Sequence, residues 1–226
     1  MRQAFHDELD QVAHDLVDLA TLVGSAIHHS TSALLEADVQ LADQVIEADQ
    51  EIDDRRNQLD LKSVDLLARQ APVASDLRTI VTSMRMSGDL ERMGDLARHV
   101  AKVARLRYPK CAVPDEMRDS FLHMGRVAEE IVARVADIIV TQSLEGARDI
   151  EEIDDQLDEL HRSMFALLAE GTWQHGSTAA VDVALLSRYY ERFGDHAVTV
   201  ARRVRFLVTG TLDGVEEDPL DVDDGI

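Results

Sequence analysis

Cysteine, proline and aromatic residues are all scarce in this chain, and each shortage removes a class of structure. A single cysteine, Cys111, permits no intramolecular disulfide and no cysteine metal cage, which suits a reducing compartment. Four prolines, Pro72, Pro109, Pro114 and Pro219, leave long stretches uninterrupted, and aromatics make up only 4% of the residues. Those stretches are rich in Ala, Leu, Val, Glu, Asp and Arg, which favours helix over sheet. No apolar run reaches the roughly 18 residues of a membrane-spanning helix. Met1 to Asp10 is too polar for the core of a secretory signal. Basic residues are short as well: 23 Lys+Arg stand against 44 Asp+Glu, for a formal net charge of −21. A phosphate backbone wants a basic surface, so this balance argues against a nucleic-acid partner. It argues equally against direct contact with an anionic membrane.

What is present is helical periodicity, in a 226-residue chain that is 45% hydrophobic and long enough for a substantial core. The spacing predicts a first helix over about 5–37, with Phe5, Leu9, Val12, Leu16, Leu19, Val23 and Ile27 at steps of three and four. A second, over about 41–69, carries Leu41, Val45, Ala48, Ile52, Leu59 and Leu66 and stops before Pro72. A third spans about 75–107. After a proline-bearing segment, YPKCAVP, three more follow over about 115–143, 145–169 and 177–208. The chain thus divides into a first half, 1–108, a linker, 109–114, and a second half, 115–209. The remainder, 210–226, has seven acidic residues and no basic one and reads as a disordered acidic tail.

Three helices, a linker and three helices suggest an internal duplication. DLERMGDLARHVAKVAR from Asp89 matches YYERFGDHAVTVARRVR from Tyr189, and Asp49-x-x-Ile52-Asp53 matches Asp154-x-x-Leu157-Asp158. Each half therefore carries two carboxylate pairs at i, i+4: Asp49 with Asp53 and Glu91 with Asp95, then Asp154 with Asp158 and Glu191 with Asp195. That spacing puts both side chains of a pair on one helix face. In the third and sixth helices the pairs point away from the apolar stripes, an expectation of surface placement. Asp49, Glu91 and Asp154 have no Lys or Arg three or four residues away. An arginine from another helix or a metal ion must then neutralise them, and four carboxylates from two helices suit a hard, oxygen-seeking cation or iron. Gly94 and Gly194, inside these helices, fit either a closely packed neighbouring helix or the approach of an ion. The third and sixth helices are locally basic, which suggests electrostatic pairing with acidic neighbours. No Glu-x-x-His, His-Glu-x-x-His, phosphate-binding loop or dinucleotide fingerprint occurs.

These motifs, together with FHDEL at Phe5, VIEADQEID at Val45 and LARQAPVA at Leu67, resemble the PhoU family, regulators of the phosphate-specific transport system. The resemblance covers about residues 1–209. It implies an all-α fold of two tandem three-helix bundles related by pseudo-twofold symmetry. It also implies a cytoplasmic protein, often a homodimer, without enzymatic activity. Such proteins act with the ATPase subunit of the phosphate ABC transporter and with a phosphate sensor histidine kinase. They repress the starvation response and limit uptake when phosphate is plentiful. Metal ions (iron, zinc, manganese or magnesium) would be held by Asp49, Asp53, Glu91, Asp95, Asp154, Asp158, Glu191 and Asp195. One departure is Tyr189 at the place of Asp89, which makes the sites inequivalent if Asp89 joins the first. Two competing readings stay open: a carboxylate-bridged metalloenzyme, and a metal-free helical scaffold whose acids pair with Arg92, Arg192 and their neighbours.

Overall fold

A computed structural model describes residues 2–170 and 173–211. Six long helices account for nearly all of them: α1 Arg2–Glu36, α2 Val39–Gln70, α3 Ala74–Arg107, α4 Arg118–Thr141, α5 Leu144–Ala169 and α6 Gly176–Thr209. No strand occurs among the described residues. The all-α expectation holds, three helices on either side of the linker. The fourth helix starts later than its spacing suggests, because Pro114 leads into a single 3-10 turn, Asp115–Met117. The acidic tail beyond Thr211 lies outside the described residues.

The chain reverses between helices by satisfying the backbone groups that helix ends leave unpaired. Ala37 takes a left-handed conformation, φ 50°, and the Asp38 amide returns to the Ala33 carbonyl at 3.0 Å. The Asp38 carboxylate then caps α2, accepting from the Gln40 and Leu41 amides at 3.0 Å each. At the far end of α2, Ala71 is again left-handed and Pro72 forbids continuation. The linker is tied back to α1: the Cys111 thiol donates to the Leu34 carbonyl at 3.3 Å, and the Arg118 guanidinium donates to that of Leu35.

α1, α2 and α3 pack together, as do α4, α5 and α6, and the halves meet along α1–α4 and α3–α6. Both seams are antiparallel. Along the first, Gly24 lies against Val132 and Gly125 against Thr31. Along the second, Arg78 sits over the Phe206 ring, Asp89 pairs with Arg203, His99 stacks on Tyr189 and Arg107 pairs with Asp182. Equivalent helices of the two repeats thus face each other, as an approximate twofold axis requires. One apolar core runs through both halves. Near its centre the buried hydroxyls of Thr31 and Tyr190 share a hydrogen bond of 2.8 Å, so the largest buried polar ring brings no unpaired group with it.

The expected stripes are largely the buried ones. Phe5, Val12, Leu16, Leu19, Val23 and Ile27 of α1 all enter the core, with Leu9 packed at its edge. Ala48 of α2 does not: it is exposed and lines a groove of about 290 Å³ between α1 and α2. α3 is buried over much of its circumference, because α1, α2 and α6 all rest on it. Its small residues Gly94, Ala97, Ala101 and Ala104 allow three neighbours to approach. The basic character of α3 and α6 meets acidic partners as expected, with Arg105 reaching Asp43 and Arg205 reaching Glu151, both at 3.2 Å.

Candidate acidic sites between the paired helices

The surface expectation drawn from helical phase fails at Glu191, which is buried as Asp49 is, and holds at Asp195, which is exposed, while Asp53, Glu91, Asp95, Asp154 and Asp158 are half-buried. Asp49 is only 5% exposed and Glu191 only 9%. Phase locates a side chain relative to one stripe, but α3 and α6 each have neighbours on several sides. The face turned away from one neighbour is turned toward another. Asp49 and Asp53 of α2 thereby meet Glu91 and Asp95 of α3, and Asp154 and Asp158 of α5 meet Glu191 and Asp195 of α6.

In the first half an arginine closes the arrangement. The Arg98 guanidinium donates through one nitrogen to Asp49 and through the other to Asp95. This is the fork geometry that lets one arginine satisfy two carboxylates. Arg92 adds a contact to Asp95 at 3.0 Å and a longer one to Glu91 at 3.7 Å. Burial still holds the Asp49 and Glu91 carboxyls above the usual carboxylate range, with Arg98 pulling Asp49 back. Outside this clamp, Gln50, Asp53, Arg56, Asn57, Glu91 and Arg92 line a shallow polar recess of about 340 Å³.

The second half is different. The repeats align Arg98 with Val198, so no fork reaches the acids from that place. Arg188 pairs with one oxygen of Glu191. The other oxygen, Oε2, is buried and accepts no hydrogen bond, and neither does Asp154 Oδ1. Burial is the main cause that pushes the Asp154 carboxyl up to about 7, and Asp158, Asp195, Asp155 and Glu191 add to it. Burial and Asp195 also raise Glu191. His161 Nδ1 lies 3.0 Å from the Ser187 hydroxyl.

The two glycines resolve separately. A Cβ on Gly94 would come within 2.9 Å of the Ile52 side chain, so helix packing accounts for it. A Cβ on Gly194 would overlap the Asp154 carboxylate itself and crowd Leu157 at 2.9 Å. There the missing side chain makes room for a ligand-type oxygen against the α6 backbone. Asp89 belongs to neither site: it faces α6, with Arg203 Nε at 2.6 Å and His196 Nδ1 at 3.3 Å.

The donor sets are all oxygen, the chemistry of hard cations. The second set fits a cation, since it carries buried carboxylate oxygens without a partner. The first fits poorly, since Arg98 already stands between its acids. As the side chains are placed, no three Asp, Glu, His or Cys among the described residues converge on one point. Sequence reasoning asked for an off-helix arginine or an ion, and did not identify Arg98 as the one that reaches Asp49. The contrast between Arg98 and Val198 in the aligned repeats was the available signal.

Fold and site together define a class: a duplicated six-helix protein with acidic pairs set between its second and third helices in each repeat. The model of the PhoU domain matches this chain twice, over residues 16–104 and 121–204. The chain belongs to the PhoU family. It is 47% identical over 210 residues to "Phosphate-specific transport system accessory protein PhoU homolog 2" of Mycobacterium tuberculosis, spanning 93% of this chain and 99% of that one. It also superposes on the crystal structures of PhoU from Streptococcus pneumoniae, with a TM-score of 0.83 at 25% identity, and from Pseudomonas aeruginosa, with 0.82 at 30%. Each superposition covers 92% of this chain, and 98% and 100% of those chains.

Proposed function

We propose that this chain is an accessory regulator of phosphate-specific transport, restraining uptake and the starvation response when phosphate is plentiful. The observation that carries the reading is the near full-length likeness to a protein named for that transport system, together with the repeat seen twice in this chain. In this role the six helices are a scaffold and not a catalyst. The chain acts by docking on the ATPase subunit of the phosphate transporter and on a sensor histidine kinase, on the cytoplasmic side of the membrane and as a homodimer. Among the described residues no helix is long and apolar enough to cross a membrane. Cation binding belongs to the same proposal. Its support is the crowding of carboxylates around Asp154, to which no cation is bonded, and the unpaired Oε2 of Glu191 beside it, where a bound metal ion would add positive charge to that of Arg188. To hold it, Asp154, Asp158, Glu191 and Asp195 must swing together by side-chain rotation. The Arg98 clamp favours the metal-free scaffold reading for the first half alone.

Affinity capture of the tagged chain from phosphate-replete cells, followed by mass spectrometry, tests the docking. The expected result is retention of a phosphate-transporter ATPase subunit and a histidine kinase. Recovery of neither, from cells that express both, contradicts it.

A further inference from the structure

We propose that the recess between the α5–α6 connection and the 3-10 turn is a docking site for an arginine-bearing segment of a protein partner. This rests on the reading above in one respect, that the chain works by docking. The recess, of about 360 Å³, is lined by Glu116, Met117, Leu167, Trp173, Gln174 and His175. Only the second half builds it. The 3-10 turn Asp115–Met117 has no counterpart ahead of α1 among the described residues. Residues 170–175 join α5 to α6, where the shorter 71–73 joins α2 to α3. The longer connection carries the sole tryptophan of the chain.

The walls are fixed before anything binds. Trp173 Nε1 donates to the Gly176 carbonyl at 2.7 Å, so the indole keeps one orientation with its polar edge satisfied. The ring also packs against the core and meets the His175 ring edge to face, with centroids 5.0 Å apart. His175 Nε2 lies 3.5 Å from a Glu116 oxygen, which ties the connection to the 3-10 turn. Met117, only 4% exposed, anchors that turn in the core. Charge then decides what enters. The lining holds one carboxylate and no lysine or arginine. Asp115, Asp119 and Glu170 are exposed nearby in the chain, and the one base in 115–119, Arg118, is committed to the Leu35 carbonyl. An arginine matches each wall: its aliphatic stem lies on Leu167, its planar guanidinium on the indole, and its charge meets Glu116. A lysine lacks the planar group that stacks, and an acidic or wholly apolar side chain leaves Glu116 unmatched. Phe165, Leu167, Val181 and Leu185 on the same two helices are half-exposed and offer apolar surface to the residues flanking the arginine.

The test selects random peptides of about twelve residues, displayed on phage, against the full-length chain. Soluble copies of those enriched are then titrated by fluorescence anisotropy and by the emission of Trp173, which as the sole tryptophan reports this recess alone. The expected result is enrichment of arginine next to leucine or phenylalanine, with a saturable shift of the emission. Replacing that arginine by citrulline, its neutral isostere, weakens binding about tenfold. Glu116→Gln and Leu167→Ser, both at exposed positions, each weaken it about threefold, with unchanged thermal unfolding. Glu47→Gln, at an exposed acid of α2, leaves it unchanged, which separates the recess from general attraction to a negatively charged chain. No enrichment, enriched peptides without arginine, or binding that Glu116→Gln and Leu167→Ser leave intact overturns the assignment. None of these results bears on phosphate regulation, which the capture from phosphate-replete cells tests separately.

Discussion

Arg98→Val in metal-free protein lowers the free energy of unfolding by about 3 kcal/mol near neutral pH. The figure follows from what is left behind: Asp49 remains buried in the seam between α2 and α3, and Asp95 beside it, with their shared guanidinium gone. Removing one partner of a buried ion pair is costly because the other charge stays desolvated and uncompensated. A surface pair such as Arg55 with Glu51, both about half exposed, contributes far less when broken. Arg98→Lys recovers only part of the loss, since one ammonium cannot span both carboxylates as the planar fork does. The check is a urea-unfolding series that includes Arg98→Val combined with Asp49→Asn. If charge is the cause, the double variant is more stable than Arg98→Val alone. If Asp49→Asn fails to offset the loss, the arginine matters only through the packing of its aliphatic stem.

The second half has the opposite sign. Asp154 titrates near 3.8 when unfolded and near 7 in the folded chain. Between those values the folded state holds more protons than the unfolded one. Stability contributed by the neutral carboxyl is therefore present at the acid end and lost as the pH rises toward 7. Asp154→Asn removes the titration and keeps the shape. It is expected to stabilise the metal-free protein at and above neutral pH by roughly 1–2 kcal/mol, after allowance for the water that reaches this carboxyl. It is also expected to flatten the profile between about pH 4 and pH 7. Unfolding curves of both proteins across that range, in the presence of a chelator, decide the matter. Parallel profiles, or a variant less stable than wild type near pH 7.5, contradict it.

These two sites show what sequence could and could not convey. The helices were legible because apolar residues recur at three and four, and because Pro72, Pro109 and Pro114 fall where helices must stop. The acid pairs were legible because the repeat presents them twice. The burial of Asp49 and Glu191 was not. Phase on a single helix says nothing about how many neighbours that helix has, and α3 has three. Arg98 illustrates the same limit. Its neighbour at three residues, Asp95, could be read from spacing, whereas its reach to Asp49 depends on the register of α2 against α3. Ala48 fits the α2 stripe by spacing, yet α1 stands far enough away there to leave a groove. Gly94 and Gly194 occupy equivalent positions, and only the packed structure separates one that admits Ile52 from one that admits Asp154.

The central claim, that this chain restrains phosphate uptake when phosphate is plentiful, is tested most directly in cells. Uptake of labelled phosphate in phosphate-rich medium is measured with the gene intact, deleted, and restored on a plasmid. The expected result is faster uptake in the deletion strain, with a starvation-response reporter switched on, and return of both to the wild-type level on restoration. Unchanged uptake and a silent reporter in the deletion strain contradict it.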